Sequence, residues 1–233
     1  MFRKRKRQML ATSRKLVTSV NPKSFISEQF RTIRTNINFS TPDKELKTLL
    51  FTSSSPGEGK STSAANVAIV FAQEGKKVLL VDADMRKPTM HFTFKTSNSI
   101  GLSNLLTKQF SLEEVTRITN IENLYLITCG QIPPNPAELI SSSSMEALIE
   151  ELALMYDIVI FDAPPLLSVA DAQILSNKCD GTILVINSGT TEKESAIKAK
   201  ESLISAKANI LGILMNNFVL EKENSYYQYY GTE

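Results

Sequence analysis

Histidine and cysteine are scarce in this chain of 233 residues, which contains one histidine, His91, and two cysteines, Cys129 and Cys179. The cysteines have neither the spacing of a zinc site nor a neighbouring histidine, which argues against zinc chemistry and cysteine nucleophiles. We interpret both as ordinary buried thiols. His91 has no visible catalytic partner, so a structural or solvent-facing role is favoured over ligand contact.

Long apolar runs are also absent, since no stretch approaches the eighteen or more residues of a transmembrane helix. The N-terminus lacks the apolar core of a secretory signal. We therefore expect a soluble, cytoplasmic protein. The composition, 42% hydrophobic and 21% charged, is that of a single domain with one buried core.

Positive charge is concentrated at the N-terminus. Seven lysines and arginines lie in the first fifteen residues, so the rest of the chain carries −5 when the net charge is +2. Two interpretations of this arm stand equally: a solvated tail, or contact with the anionic inner face of the cell membrane. Nucleic acid ranks third, because the remaining domain is acidic and shows no recognition-helix pattern.

Short β-branched or leucine-rich runs alternate with segments of helical periodicity. Six runs predict strands: 48–52, 77–82, 124–128, 157–162, 182–187 and 210–216. Such alternation predicts an α/β fold, a mostly parallel central sheet flanked by helices, with ligands at the carboxyl ends of the strands. We expect a basic flexible arm over 1–20, the folded domain over 21–217, and a flexible tyrosine-rich tail over 218–233.

A phosphate-binding loop follows the first predicted strand. The segment Ser53 to Thr62, SSSPGEGKST, fits the pattern GxxxxGK[ST] except that Ser54 replaces the first glycine. Glycines let backbone N–H groups surround phosphate oxygens, while the lysine reaches the outer phosphates and the hydroxyl serves Mg²⁺. The predicted nucleotide-binding residues are Ser55, Pro56, Gly57, Glu58, Gly59, Lys60, Ser61, Thr62 and Arg86.

Three aspartates follow two further buried strands. Val78 to Arg86, VLLVDADMR, supplies Asp82 and Asp84, and Ile158 to Pro165, IVIFDAPP, supplies Asp162. We expect Ser61, Asp84 and Asp162 to hold Mg²⁺, partly through water. Asp82 is our candidate for accepting a proton from a hydroxyl substrate. Arg86 either orients these carboxylates or forms a structural ion pair.

In this order, the three motifs resemble those of the bacterial tyrosine kinases, the P-loop kinases of capsule and exopolysaccharide systems. The resemblance covers nearly the whole chain and implies Walker A, Asp-x-Asp-x-Arg and Walker B motifs on the deviant-Walker, MinD/ParA-like P-loop fold. It implies ATP and Mg²⁺, with Lys60, Asp82, Asp84 and Asp162 as catalytic residues.

Two further segments agree with that resemblance. Glu28, Arg31 and Arg34 match the family's E-x-x-R-x-x-R pattern for self-assembly into a ring. From the residues alone, their spacing on one helical face indicates either a subunit contact or, more often, a solvated stripe with ion pairing within the helix. Tyr226, Tyr227, Tyr229 and Tyr230 match its C-terminal acceptor cluster. The ten residues that separate the last strand from Tyr227 span roughly 33 Å, so reach alone does not exclude transfer in cis. The resemblance favours transfer to a neighbouring subunit.

The family also implies partners. They are a separate membrane-spanning activator, such as a chain-length modulator, that recruits the protein to the inner face of the membrane, and substrates such as sugar-nucleotide dehydrogenases or glycosyltransferases. One alternative is a switch ATPase of the partitioning or site-positioning type. Those proteins carry an additional lysine at the position of Ser55. The other is an ATP-binding scaffold of polysaccharide export, against which the three aspartates argue.

Overall fold

One seven-stranded sheet organises the part of the chain that the computed structural model describes, residues 16–41 and 45–218. Its strands are β1 (Thr48–Ser53), β2 (Val78–Asp82), β3 (Thr116–Ile118), β4 (Leu124–Ile127), β5 (Ile158–Asp162), β6 (Gly181–Asn187) and β7 (Ile210–Asn216). Their order in the sheet is β3-β4-β2-β5-β1-β6-β7. Only the β3–β4 pair is antiparallel among these described strands. The expected α/β class is confirmed.

Helices cover both faces of the sheet. They are α1 (Val17–Val20), α2 (Phe25–Phe39), α3 (Lys60–Gln73), α4 (Met90–Thr93), α5 (Leu102–Leu106), α6 (Leu112–Val115), α7 (Pro136–Ser141), α8 (Ser143–Met155), α9 (Asp171–Lys178) and α10 (Lys193–Ser205). The apolar side chains of α3 pack on one face, and those of α8, α9 and α10 pack on the other. Within the described residues, no helix has the length and apolarity needed to span a bilayer.

Strands β1, β2 and β5 lie side by side at the centre, and every residue in them is buried. Their continuous apolar sequences suit strands covered on both faces. In the register of the sheet, Asp162 lies beside Phe51 on one side and Asp82 on the other. The segments that follow these three strands therefore emerge together at one edge.

The six predicted strands are present, each within one residue of its expected ends. The seventh strand, β3, was not predicted. It contains three residues, Thr116, Arg117 and Ile118, none of them buried, so it carries no apolar signal. Pairing with β4 makes it a strand at the edge of the sheet.

The expected boundary of the N-terminal arm at residue 20 is wrong. Residues 17–20 form α1, and Thr18 is fully buried against α3. The Thr18 N–H and hydroxyl both donate to the Asn66 side-chain oxygen, at 3.1 and 2.8 Å. The side-chain amide of Gln73 donates to the Thr18 carbonyl at 2.9 Å. These bonds make α1 part of the domain.

A cavity of about 700 Å³ separates α1 from the β3–β4 edge. Leu16 and Val20 line one side of it, and Ile118 and Leu126 line the other. None of the predicted site residues lies there. Leu16, the first described residue, lines this cavity and therefore lies close to the β3 edge of the sheet.

Candidate active site

The loop between β1 and α3 has the backbone that phosphate binding requires. Gly57 and Gly59 have φ values of 87° and 95°, a region that favours glycine. A Cβ atom on Gly59 would also meet the Asn216 side-chain amide, which would have to move away. The loop leads directly into the N-terminus of α3, where unpaired N–H groups and the helix dipole favour an anion.

Lys60 joins this loop to both carboxylate segments. Its ammonium donates to Asp84 Oδ2 at 3.0 Å, to Asp162 Oδ1 at 3.2 Å and to the Ser61 hydroxyl at 3.2 Å. The two carboxylates are nearly or fully buried, with 6% and 0% of the side chain exposed. The predicted convergence of Lys60, Ser61, Asp84 and Asp162 is therefore what the structure shows.

The charges at Lys60 shift each other's titration. Burial alone would lower the pKa of Lys60, but the carboxylates of Asp162 and Asp84 outweigh it and raise that pKa. Burial alone would raise the pKa of Asp84, but the Lys60 ammonium outweighs it and lowers that pKa. The lysine and Asp84 are consequently both charged at neutral pH.

Asp82 occupies a different environment from the other two aspartates. It is fully buried, and its Oδ2 accepts N–H bonds from Thr89 at 3.0 Å and Met90 at 2.9 Å. Its Oδ1 accepts from the Asp84 N–H at 3.3 Å. Burial, followed by the neighbouring Asp162 carboxylate, raises the pKa of Asp82 to about 7. Asp82 thus titrates near neutrality beneath the site.

A cavity of about 340 Å³ opens between the loop and the two aspartate segments. Seven predicted site residues line it: Pro56, Gly57, Gly59, Lys60, Ser61, Asp84 and Arg86. Pro164 and Pro165, from the segment after β5, form another wall. Five predicted residues do not line it: Ser55, Glu58, Thr62, Asp82 and Asp162. The cavity has the position expected for a nucleotide, at the carboxyl ends of the strands.

Relatives of the chain share nearly its full length. Residues 46–192 match the family model described as an AAA domain. Over 229 residues, the chain is 53% identical to the tyrosine-protein kinase YwqD of Bacillus subtilis strain 168, covering 98% of this chain and 96% of that protein. It is 43% identical to the putative tyrosine-protein kinase CapB of Staphylococcus aureus, covering 91% and 93%. The chain belongs to the bacterial tyrosine kinases.

Solved structures agree with this assignment. The kinase domain of the Escherichia coli tyrosine kinase ETK is similar with a TM-score of 0.86 and 32% identity, over 89% of this chain and 82% of that one. MinD of Pyrococcus horikoshii, at 24% identity over 76% and 72% of the two chains, shares the fold with a TM-score of 0.64. The family, fold group and enzyme class predicted from the motifs are thereby confirmed.

Arg86 of this kinase has a partner that the sequence did not reveal. Its guanidinium donates two hydrogen bonds of 2.9 Å to Asp171, the first residue of α9, which is 1% exposed. The Arg86 and Lys87 backbone N–H groups donate to Asp84 Oδ1 at 3.3 and 3.0 Å. Arg86 thus forms a structural ion pair through its side chain and orients Asp84 through its backbone. The sequence feature that could have identified this partner is an acidic residue in the first turn of a helix, Asp171.

Glu58 differs from its predicted role, because its side chain turns away from the cavity. It is 5% exposed, and its carboxylate accepts hydrogen bonds from the Ser55 N–H and from the hydroxyls of Ser54 and Thr191. The Ser55 N–H is therefore directed to Glu58 rather than to the cavity. Thr191, from the segment between β6 and α10, was not predicted at all.

The donors beside Lys60 fit Mg²⁺ only in company with a nucleotide. The Ser61 hydroxyl and the Asp84 and Asp162 carboxylates are oxygen ligands, as Mg²⁺ prefers. Within residues 16–41 and 45–218, no group of three or more His, Cys, Asp or Glu side chains is arranged to hold a metal ion. Phosphate oxygens and water would have to complete the coordination.

The predicted oligomerisation residues lie on α2, away from the cavity. Glu28 and Arg31 pair with each other at the surface, and the Arg31 guanidinium also donates to the Pro22 carbonyl at 2.9 Å. Arg34 instead donates to the Val70 carbonyl of α3 at 2.8 Å. Arg34 therefore contributes to packing within the subunit. The four acceptor tyrosines lie outside the described residues.

Proposed function

We propose that this kinase transfers the terminal phosphoryl group of ATP to its own C-terminal tyrosines, Tyr226, Tyr227, Tyr229 and Tyr230, within an oligomer. The observation that supports this proposal most is the meeting of the phosphate loop, Lys60, Asp84 and Asp162 beside one cavity. Phosphoryl transfer depends mainly on positioning and on neutralising charge, and these residues are suited to both tasks.

Each group of the loop has a defined task in this proposal. The N–H groups at the start of α3 bind phosphate oxygens. The Lys60 ammonium leaves its resting contacts with Asp84 and Asp162 to neutralise the transferred group. Ser61, Asp84 and Asp162 would hold Mg²⁺, partly through water, and the ion would supply charge neutralisation on the phosphates. Pro164 and Pro165 exclude water from one side of the cavity.

Asp82 is the proposed proton acceptor. A tyrosine hydroxyl has a pKa near 10, so it must lose its proton as it attacks. A carboxylate whose pKa is about 7 suits this task, because a base near the operating pH balances availability and basicity. Asp82 is covered by the Thr89 and Met90 amides. Since Thr89 also lines the cavity, movement of this segment would expose the carboxylate.

The wider cellular role follows from the family. We propose that the kinase regulates capsule or exopolysaccharide synthesis and export, and that a membrane-spanning activator of the chain-length modulator type recruits it to the inner face of the membrane. Sugar-nucleotide dehydrogenases and glycosyltransferases are the proposed external substrates. The basic N-terminal arm supports membrane recruitment by its charge.

Mass spectrometry tests the acceptor assignment. After incubation with Mg²⁺ and ATP, with and without the cytoplasmic segment of a candidate activator, we expect phosphate on the C-terminal cluster. Changing its four tyrosines to phenylalanine should abolish self-phosphorylation and retain ATP binding. The ring of Tyr156 is 6% exposed and packs on Tyr125 with centroids 5.6 Å apart, so these rings are poor acceptors. Phosphate found chiefly on Tyr125, Tyr156, serine or threonine would refute the proposal.

Charge gives the cluster a second role. Each phosphate adds about −1.5 to −2 charges at neutral pH, so four add roughly −6 to −8. We propose that this charge drives the tail out of the neighbouring site and loosens the oligomer. The four-phenylalanine variant should therefore remain assembled in ATP, as judged by light scattering coupled to size exclusion.

The pair on α2 tests the proposed ring. Replacing Glu28 and Arg31 with alanine should give monomers and slow phosphorylation of the tail, while thermal stability changes little because exposed ion pairs contribute weakly. The matched control removes one acid and one base from exposed positions of α10, as E194A/K198A, and should leave the assembly intact. Arg34 is left unchanged because it packs on α3. A monomeric wild-type protein, or an unchanged assembly in E28A/R31A, would count against this interface.

A further inference from the structure

Glu58 places a buried carboxylate inside the phosphate loop itself. It accepts three hydrogen bonds, from the Ser54 hydroxyl at 2.7 Å, the Ser55 N–H at 3.0 Å and the Thr191 hydroxyl at 2.6 Å. A negative charge so close to a phosphate site repels bound phosphate unless hydrogen-bond donors offset that charge. Three donors, one of them from a distant part of the chain, show that this charge is satisfied by a specific set of partners.

The bond to Ser54 accounts for the unusual first position of the loop. The pattern GxxxxGK[ST] places a glycine there, and this chain places a fully buried serine. The Ser54 hydroxyl and the Glu58 carboxylate close the first turn of the loop from within. Ser54 and Glu58 therefore act as a pair. Because the Glu58 carboxylate accepts the Ser54 hydroxyl, a buried serine is tolerated at the glycine position.

Thr191 holds this pair from outside the loop. Its hydroxyl accepts the Asn187 N–H at 2.8 Å and gives its single proton to Glu58. Serine can make both bonds, but valine, which has nearly the same shape, can make neither. The Asn216 side-chain amide adds a bond of 3.1 Å to the Glu58 carbonyl. The segment after β6 and the last residue of β7 thus fix the outer side of the loop.

We infer that Thr191 and Glu58 are positioning residues that hold the phosphate loop in its anion-binding shape. Neither residue lines the cavity, so both act through Gly57, Gly59 and Lys60, which do. Loss of the Thr191 hydroxyl leaves a buried charge short of one donor and lets the loop leave that shape. This inference rests on the nucleotide-binding part of the proposed function and on none of the acceptor assignment.

The test compares three single substitutions in the full chain: T191V, T191S and T190V. Thr190 is exposed, and its hydroxyl makes no hydrogen bond within the described residues, so T190V repeats the same chemical change one position away. Calorimetry measures the dissociation constant for ADP in excess Mg²⁺, and steady-state assays separate KM for ATP from kcat.

We expect T191V to raise the dissociation constant about tenfold, as for one lost hydrogen bond to a charged group. KM for ATP should rise in parallel while kcat at saturating ATP changes less than threefold, because the lost interaction supports binding rather than the transition state alone. T191S should bind within about twofold of wild type, and T190V should be unchanged. E58Q should weaken ADP binding, and T191V should add little to it.

Three results would overturn the inference. They are ADP binding in T191V equal to that in T190V, an equal loss in T191S, and a lower melting temperature of T191V with unchanged ADP binding. If T191V does not fold, E58Q takes its place, and ADP binding in E58Q equal to that of wild type would overturn the inference. ADP binding that follows these expectations in a protein without tyrosine phosphorylation would reject the acceptor proposal and leave this inference intact.

Discussion

Replacing Lys60 with methionine should abolish detectable tyrosine phosphorylation, with a fall in kcat of at least roughly a hundredfold, the usual effect of removing one charge-stabilising donor. We expect the substitution to destabilise the protein as well, which the sequence alone did not suggest. The Lys60 ammonium offsets the negative charge of two carboxylates, Asp84 and Asp162, that have almost no contact with solvent. Removing one partner from buried ion pairs costs about 3–5 kcal/mol.

The pH dependence of this loss has a definite sign. Lys60 holds the pKa of Asp84 below its ordinary value, so that pairing stabilises the fold above the pKa of an unfolded aspartate and is lost as pH falls through the folded value. The difference in unfolding free energy between wild type and K60M should therefore be largest at neutral pH and shrink in acid. Urea denaturation at several pH values measures it.

Two variants make the K60M result interpretable. K193M removes an exposed lysine of α10 and should change neither activity nor stability. K60M/D84N removes one of the uncompensated carboxylates and should regain part of the lost stability without regaining activity. Unchanged phosphorylation in K60M would reject the role of the phosphate loop.

Replacing Asp82 with asparagine should lower phosphoryl transfer by about 10²–10⁴, the range for loss of a general base. Binding of Mg²⁺ and ATP should be retained, since the Asp82 carboxylate is bound by the Thr89 and Met90 amides and not by Lys60. Asp162→Asn should weaken metal binding as well, since Asp162 contacts Lys60 beside the cavity. In the wild type, turnover at saturating substrate should rise with pH to a plateau above a midpoint near 7, as Asp82 loses its proton. In D82N that dependence should disappear.

Stability provides an independent measurement of the same carboxyl group. Because the pKa of Asp82 is raised to about 7 in the fold, the native protein binds more protons than the unfolded chain between the ordinary aspartate pKa and pH 7. The Asp82 contribution to unfolding free energy therefore falls as pH rises through that window. D82N should remove this slope. Near-normal turnover in D82N would show that another group accepts the tyrosine proton.

The sequence predicted the parts of the site that depend on continuous patterns. Strands β2 and β5 are uninterrupted apolar runs up to Asp82 and Asp162, β1 has the apolar centre Leu49 to Phe51, and parallel strands necessarily present their ends together. The glycines and Lys60 follow from the requirements of phosphate binding. Each of these features is local, so the residues of one short segment are enough to predict it.

The remaining features depend on contacts between distant segments. Asp171 is 85 residues from Arg86, and Thr191 is 133 residues from Glu58, so no local pattern joins them. The helix α1 has only four residues and is held by Asn66 of α3. In each case tertiary packing decides the structure.

The order of strands separates the two ends of the folded domain. Leu16 lies near the β3 edge, and Phe218 follows β7 at the opposite edge, with six strand spacings between them. At about 4.8 Å each, these spacings amount to roughly 29 Å. A membrane or protein that binds the chain near Leu16 would therefore leave the β7 edge, where the described residues end, open to a second contact.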